Sequence, residues 1–386
     1  MSDALEKLRW HYEHRSAEAI AQHKKGAPVV GFTSNTVPWE LIRAAGCFPV
    51  LIGPDLDALD KPAPFADSLM EPVFASRIRA IFNEILSGAW SFLRLLIVPR
   101  TSEPEHKLYL YLRELARQKL ADKLPPVYLY DLLHTRSPIS RKYGIDRTKD
   151  LMRRLGQVGA IREKSLSNAI KESNAARVAS RRLQNLRRGN APRISGSDSH
   201  AITGALYFMD RVEYTKSVGE VCREYKSAKP LRGPRLLIKG MPLHHPRLHQ
   251  ALEAHGAIVV AEDDWWGSRA ADADIVSARG PASALDAIFD SYYLRAPSPR
   301  VSPAAAADRW FHSTVRRGID GVVFYLPPDD DVYGWDYPRQ RDVLGGQGMP
   351  SLLIREDAGR GLSTETNGRI EEFVGNIRRS GNASRD

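Results

Sequence analysis

The chain has 386 residues, 42% of them hydrophobic and 26% charged, enough for two or three packed units and too apolar for a disordered polymer. Its 56 Lys and Arg against 46 Asp and Glu leave a formal charge of +10, which favours anionic partners but is far from a histone-like polycation. Two cysteines, Cys47 and Cys222, exclude a disulfide framework and fall short of the three or four thiolates that normally hold structural zinc or an iron–sulfur cluster, so no metal ligand set is expected.

Residues 3–24 are rich in helix formers and stop at Gly26 before Pro28, which predicts an N-terminal helical arm, 1–26. The N-terminus is charged from Asp3 onward, and no apolar run approaches the roughly 18 residues of a membrane span. A cytoplasmic chain, neither secreted nor membrane-inserted, is expected. Short β-branched or aromatic runs at 29–32, 48–52, 95–98 and 126–130 alternate with helix and loop, the pattern of βαβ units. A similar rhythm returns at 235–239, 257–261, 321–325 and 350–354. The predicted fold class is therefore α/β, with two three-layer domains built on parallel sheets at 27–135 and 231–386.

Between them, 136–230 reads as a helical bridge, with one amphipathic helix over 164–188 ending near Gly189-Asn190-Ala191-Pro192. From 136 to 193 there are 16 Lys and Arg but 4 Asp and Glu, and Tyr143 is the sole aromatic. Basic charge without stacking residues makes nucleic acid an unlikely partner. Arg177, Arg181 and Arg188 fall at steps of four and seven, which predicts a stripe suited to the phosphates of a ligand, to an acidic partner subunit, or simply to solvent.

Nucleotide-cradling glycine loops of the G-x-G-x-x-G and G-x-x-x-x-G-K-[ST] types are absent, as is G-x-S-x-G. In the loop GMPLHH, His244 and His245 follow a predicted strand and stand as acid/base candidates. His245 and His249 have i, i+4 spacing for one helix face, but nothing nearby completes a metal set, and capping or surface roles remain open. The acidic run Asp329-Asp330-Asp331 reads as a solvated loop or a hard-cation site. Glu262-Asp263-Asp264 runs into Trp265 and Trp266, which would wall an apolar pocket or pack between domains.

The segment 31–46, GFTSNTVPWELIRAAG, followed by Pro49-Val50, resembles the opening strand–loop–helix of the 2-hydroxyacyl-CoA dehydratase and benzoyl-CoA reductase family. The resemblance continues through LIVPRTSEP at 96–104, Ser165 to Arg177, PRISG at 192–196, RLLIKG at 235–240, VVAEDD at 259–264, WDYP at 335–338 and NGRIEEF at 367–373. YDLLH at 130–134 and the WDYP piece lie nearest to a benzoyl-CoA reductase subunit. Pro38 sits where a helix begins and Glu40 in its first turn, favourable against the helix dipole. Ser34, Asn35 and Glu40, in a loop at a strand's carboxyl end, are expected to face the ligand crevice.

The resemblance implies two flavodoxin-like domains, acyl-CoA as substrate, a heterodimer, a [4Fe-4S] cluster held by three cysteines and a separate ATP-dependent activator. The cysteine positions fall near Met70-Glu71, at Ser102 and within 329–331, and none is cysteine. Hard oxygen ligands suit such a cluster poorly. The cluster is therefore expected only in a homologous partner, and this chain is expected to bind the thioester, with Ser34, Glu40, His244 and His245 as candidate catalytic groups and Asn35, Arg177, Arg181, Arg188 and Trp265 as candidate binding groups. Supporting reduction or dehydration of a CoA thioester is the leading reading; a cluster-less binding or assembly protein is the alternative.

Overall fold

The computed structural model describes residues 3–133, 135–264, 266–269, 271–272, 274–276, 281–295, 304–328, 330 and 332–383. The first sheet comprises β1 (Val29–Phe32), β2 (Phe48–Leu51), β3 (Leu95–Pro99) and β4 (Val127–Tyr130) in the order β2-β1-β3-β4. β5 (Arg235–Gly240), β6 (Ile258–Asp263), β7 (Gly321–Tyr325) and β8 (Ser351–Ile354) repeat it as β6-β5-β7-β8. Every pairing is parallel. The expected two-domain, flavodoxin-like α/β architecture is what forms.

Helices cover both faces of these sheets, which is why the strands read as continuous apolar runs rather than alternating ones. In β5, Leu236 and Ile238 join one core with Ile370 and Val374 of the helix Thr364–Ala383. Leu237 points the other way, into a second core with Phe311 and Val322. The first sheet shares one core with the arm and bridge, extending from Ala4 to Tyr293. The arm is two helices, Asp3–Glu13 and Ala17–Lys24, and the bridge four: Pro138–Gly156, Glu163–Asn185, Gly196–Ala205 and Arg211–Tyr225. Among the described residues no helix is long and apolar enough to cross a membrane.

Gly240 ends β5 at φ +141°, and a Cβ there would lie 2.0 Å from the Tyr325 carbonyl oxygen on the paired strand β7. Only glycine lets the chain leave the sheet here toward the loop 241–245. Gly240→Ala should therefore destabilise the second domain by about 1–3 kcal/mol, read as a lowered denaturant midpoint.

Candidate functional site

A cavity of about 130 Å³ opens between the carboxyl ends of the two sheets. In each sheet the chain winds one way from its central strand to a neighbour and then crosses back, so β1/β3 and β5/β7 are the switch points at which loops diverge and leave a crevice. The lining follows from this: Ser34 after β1, Thr101 and Ser102 after β3, Met241, Pro242, His244 and His245 after β5, and Tyr325 and Pro327 at the end of β7. Arg15 from the arm, Arg77 at the start of the helix Ser76–Ser87, Glu105 and Asp357 complete the polar wall.

The hydroxyls of Ser34, Thr36 and Thr101 are all buried and hydrogen-bonded: Thr36 to Thr101 at 2.6 Å, Ser34 to Thr101 at 3.3 Å. Ser102 caps the helix Glu103–Arg117. Its Oγ accepts the Glu105 N–H at 3.4 Å and donates to Glu105 Oε2 at 3.2 Å. Glu105 is 4% exposed. Burial pushes its carboxyl up to about 7, with the charge of Arg77 and the Ser102 hydrogen bond opposing. Arg77 donates to the Thr33 carbonyl at 2.6 Å.

On the opposite wall, the loop after β5 is clamped through its backbone. The His244 carbonyl accepts from Tyr12 Oη at 3.1 Å and from Arg15. Arg15, 1% exposed, also donates to the carbonyls of Tyr12 and Pro54 and lies over the rings of Tyr12, Phe208 and Trp266. Burial pushes His244 well below its ordinary value and His245 down to about 3, where Asp357 only partly offsets the cost of charging it. Both imidazoles therefore face the cleft neutral at pH 7.

Ser34, His244 and His245 are thus brought together in the cleft, and the other expected site residues that the structure describes lie elsewhere. Glu40 is fully buried away from it, bound to Arg177 at 2.9 Å, Tyr292 Oη at 2.8 Å and Ser173, with Arg211 at 3.8 Å. Burial raises its carboxyl, but the two guanidiniums outweigh that and hold it below the usual range. Asn35 is half-buried and not in the cavity wall. The arginine stripe does not form: Arg177 belongs to the Glu40 network, Arg181 closes a two-pronged pair with Asp274 at 2.7 and 2.9 Å, and the helix ends at Asn185, leaving Arg188 in the following turn. Trp265 lies outside the described residues. Its neighbour Trp266 is packed among Tyr12, His200, Tyr207 and His244, so at that position the interdomain-packing alternative holds.

The i, i+4 histidine face is also absent, because the helix begins at Arg247 and His245 precedes it; His249 bonds Glu262 at 2.9 Å instead. Asp330 accepts the backbone N–H groups of Val332, Tyr333 and Gly334, while Asp329 and Asp331 lie outside the described residues. At the positions where the resemblance implies cysteines, the described groups do not fit an iron–sulfur cluster. Ser102 is committed to Glu105, Glu71 accepts from Tyr111 Oη at 2.5 Å, and Asp330 is spent on backbone. Neither cysteine lines the cleft, and burial pushes the Cys47 thiol up to about 11. Among the described residues no group of three or more His, Cys, Asp or Glu is placed to hold a metal ion.

Sequence reasoning missed Arg15, Arg77, Glu105 and Asp357. For Glu105 a local signal existed, since Ser102-x-x-Glu105 has capping-box spacing. The arginines carry none.

A family model described as 2-hydroxyglutaryl-CoA dehydratase, D-component, matches residues 35–377. The (R)-2-hydroxyglutaryl-CoA dehydratase, subunit beta, of Acidaminococcus fermentans is 20% identical over 349 residues, 88% of this chain and 89% of that one. The (R)-phenyllactyl-CoA dehydratase beta subunit of Clostridium sporogenes is 24% identical over 167 residues, so the match spans 42% of this chain and 44% of that relative.

Proposed function

The chain belongs to the 2-hydroxyglutaryl-CoA dehydratase D-component family, and from that membership we propose that it is the thioester-binding subunit of a CoA-thioester dehydratase complex. The observation that carries this reading is the cleft itself, formed where the strand-end loops of both sheets meet and walled by Ser34, Ser102, Arg77, Glu105 and the neutral His244 and His245. Both relatives are dehydratase β subunits, which favours loss of water over ring reduction. With no thiolates at the cysteine positions, the chain's own groups bind, orient and exchange protons. Electron delivery is assigned to a cluster-bearing homologous subunit served by an ATP-dependent activator.

In this reading the acyl end enters the cleft, with the Ser34 hydroxyl near the thioester and the two imidazoles as hydrogen-bond acceptors. Calorimetric titration with phenyllactyl-CoA tests it. Ser34→Ala should weaken binding about 2- to 10-fold, the size of one lost hydrogen bond, with little change in melting temperature. Unchanged affinity would move the site elsewhere. Anoxic native purification separates the subunit from a free-standing assembly protein: a stable complex with a cysteine-rich homologue supports the first, a self-sufficient oligomer the second.

A further inference from the structure

We propose that Glu105 and Arg77 make the cleft an enolising site for acyl-CoA thioesters, Glu105 exchanging the proton on the carbon next to the thioester carbonyl while Arg77 holds the carbonyl oxygen. The inference rests on the cleft binding acyl-CoA, and it adds an activity that this chain would perform without any redox group.

The unusual feature is which charges are left unspent. Arg79, Arg177, Arg187 and Arg211 are buried, and each has a carboxylate within 4.0 Å. Two arginines of the cavity wall, Arg15 and Arg77, have none among the described residues: Arg15 is spent on the carbonyls of Tyr12, Pro54 and His244, whereas Arg77 makes one such bond, to the Thr33 carbonyl. Glu105 is the one glutamate in that wall, and no ion pair among the described residues consumes it. Each is close enough to feel the other's charge. A half-buried cation and a buried carboxyl thus face one small cavity without neutralising each other through a direct pair. Such an arrangement is costly unless a ligand or a reaction uses it.

The chemistry needs these two groups. As the Cα–H bond breaks, its proton forms an O–H bond with the Glu105 carboxylate, and the electron pair moves into a C=C bond and onto the thioester oxygen. The guanidinium of Arg77 stabilises that oxyanion, as fixed donors do wherever charge develops in a low-dielectric site. Return of a proton from the Glu105 carboxylic acid restores the thioester, so no oxidant, reductant or co-reactant is required. Because the carboxyl titrates near 7, both its forms are populated at neutral pH, the condition for a group that must take a proton and give it back. Ser102 fixes it: the hydroxyl standing at a family cysteine position orients a proton carrier.

The test uses the full-length chain and butyryl-CoA, which has exchangeable α-protons and no hydroxyl to lose. Deuterium uptake from D2O is followed by mass spectrometry, and binding by calorimetry in parallel. Wild type should exchange well above the buffer rate, and the rate should climb as pD rises through the carboxyl midpoint near 7. Glu105→Gln should lower exchange about 100-fold or more and abolish that pD dependence while still binding butyryl-CoA. Arg77→Met should lose a similar factor, and Glu105→Asp should retain part of the activity. Binding without exchange in wild type, or exchange at the wild-type rate in Glu105→Gln, overturns the enolising role alone. No binding at all removes the acyl-CoA reading and this inference with it.

Discussion

Replacing Glu262 with alanine should lower the stability of the chain by about 3–5 kcal/mol, the usual result of stranding one partner of a buried ion pair. Arg187 is 0% and Glu262 1% exposed. Arg187 donates from Nη1 to Oε1 at 2.7 Å and from Nη2 to Oε2 at 2.6 Å, and Ser268 and His249 bond the same carboxylate. Arg187 follows the bridge helix and Glu262 lies on β6, so the pair ties the bridge to the second sheet. Burial alone would raise the Glu262 carboxyl, but Arg187, together with the bond to His249, holds it well below its ordinary 4.5. Its contribution is therefore complete above about pH 4.5 and is lost as pH falls toward the depressed native value. The variant should lose most relative to wild type at neutral pH, and the difference should shrink in acid. Thermal and urea unfolding across pH 3–8 measure both. An Arg187→Met/Glu262→Leu double variant should recover much of the loss, since neither charge is then left alone; a double variant as unstable as the single would assign the effect to packing around Ser268.

What could be read before the structure follows from the range of the interaction concerned. β1 to β8 were visible because each holds a short apolar run, fully buried in β1, β2, β3, β6 and β7, and the run is a local property. Pro38 and the loop before it marked a crevice side, and Ser34 does line the cleft because it directly follows β1. The basic bridge misled. Arg177 pairs with Glu40 across 137 positions and Arg181 with Asp274 across 93, and no local pattern announces such partners. The helix that carries Arg177 and Arg181 turns the first toward Glu40 of the first domain and the second toward Asp274, and it ends before Arg188. His249 likewise found Glu262 on the neighbouring strand. Glu105 was legible only as a cap, because its burial and the charge of Arg77, which distinguish it chemically, come from other elements of the fold.

Glu40 is where the two kinds of reasoning diverge most, and a substitution there separates them. An acid/base residue changed to its isostere leaves a folded, inactive protein; a structural carboxylate changed to alanine leaves an unstable one. Four groups converge on Glu40: Arg177, Arg211, Ser173 and Tyr292, from three helical segments distant in sequence. Arg211 also stacks over the ring of Trp39, 4.1 Å from its centroid, and Arg177 faces Tyr292. Removing the carboxylate leaves two guanidiniums together in an apolar setting with nothing to offset their repulsion. Glu40→Ala should cost about 3–5 kcal/mol, lowering the thermal midpoint by several degrees or more in a chain of this length. Glu40→Gln, which fills the same volume and keeps one acceptor oxygen for Ser173 or Tyr292, should lose less. Thioester affinity measured well below the melting point should stay within about twofold of wild type in Glu40→Gln, since none of these groups lines the cavity. Lost affinity at unchanged stability would instead return Glu40 to the ligand, and would require the helix Trp39–Ala44 to turn its first residues toward the cleft on binding.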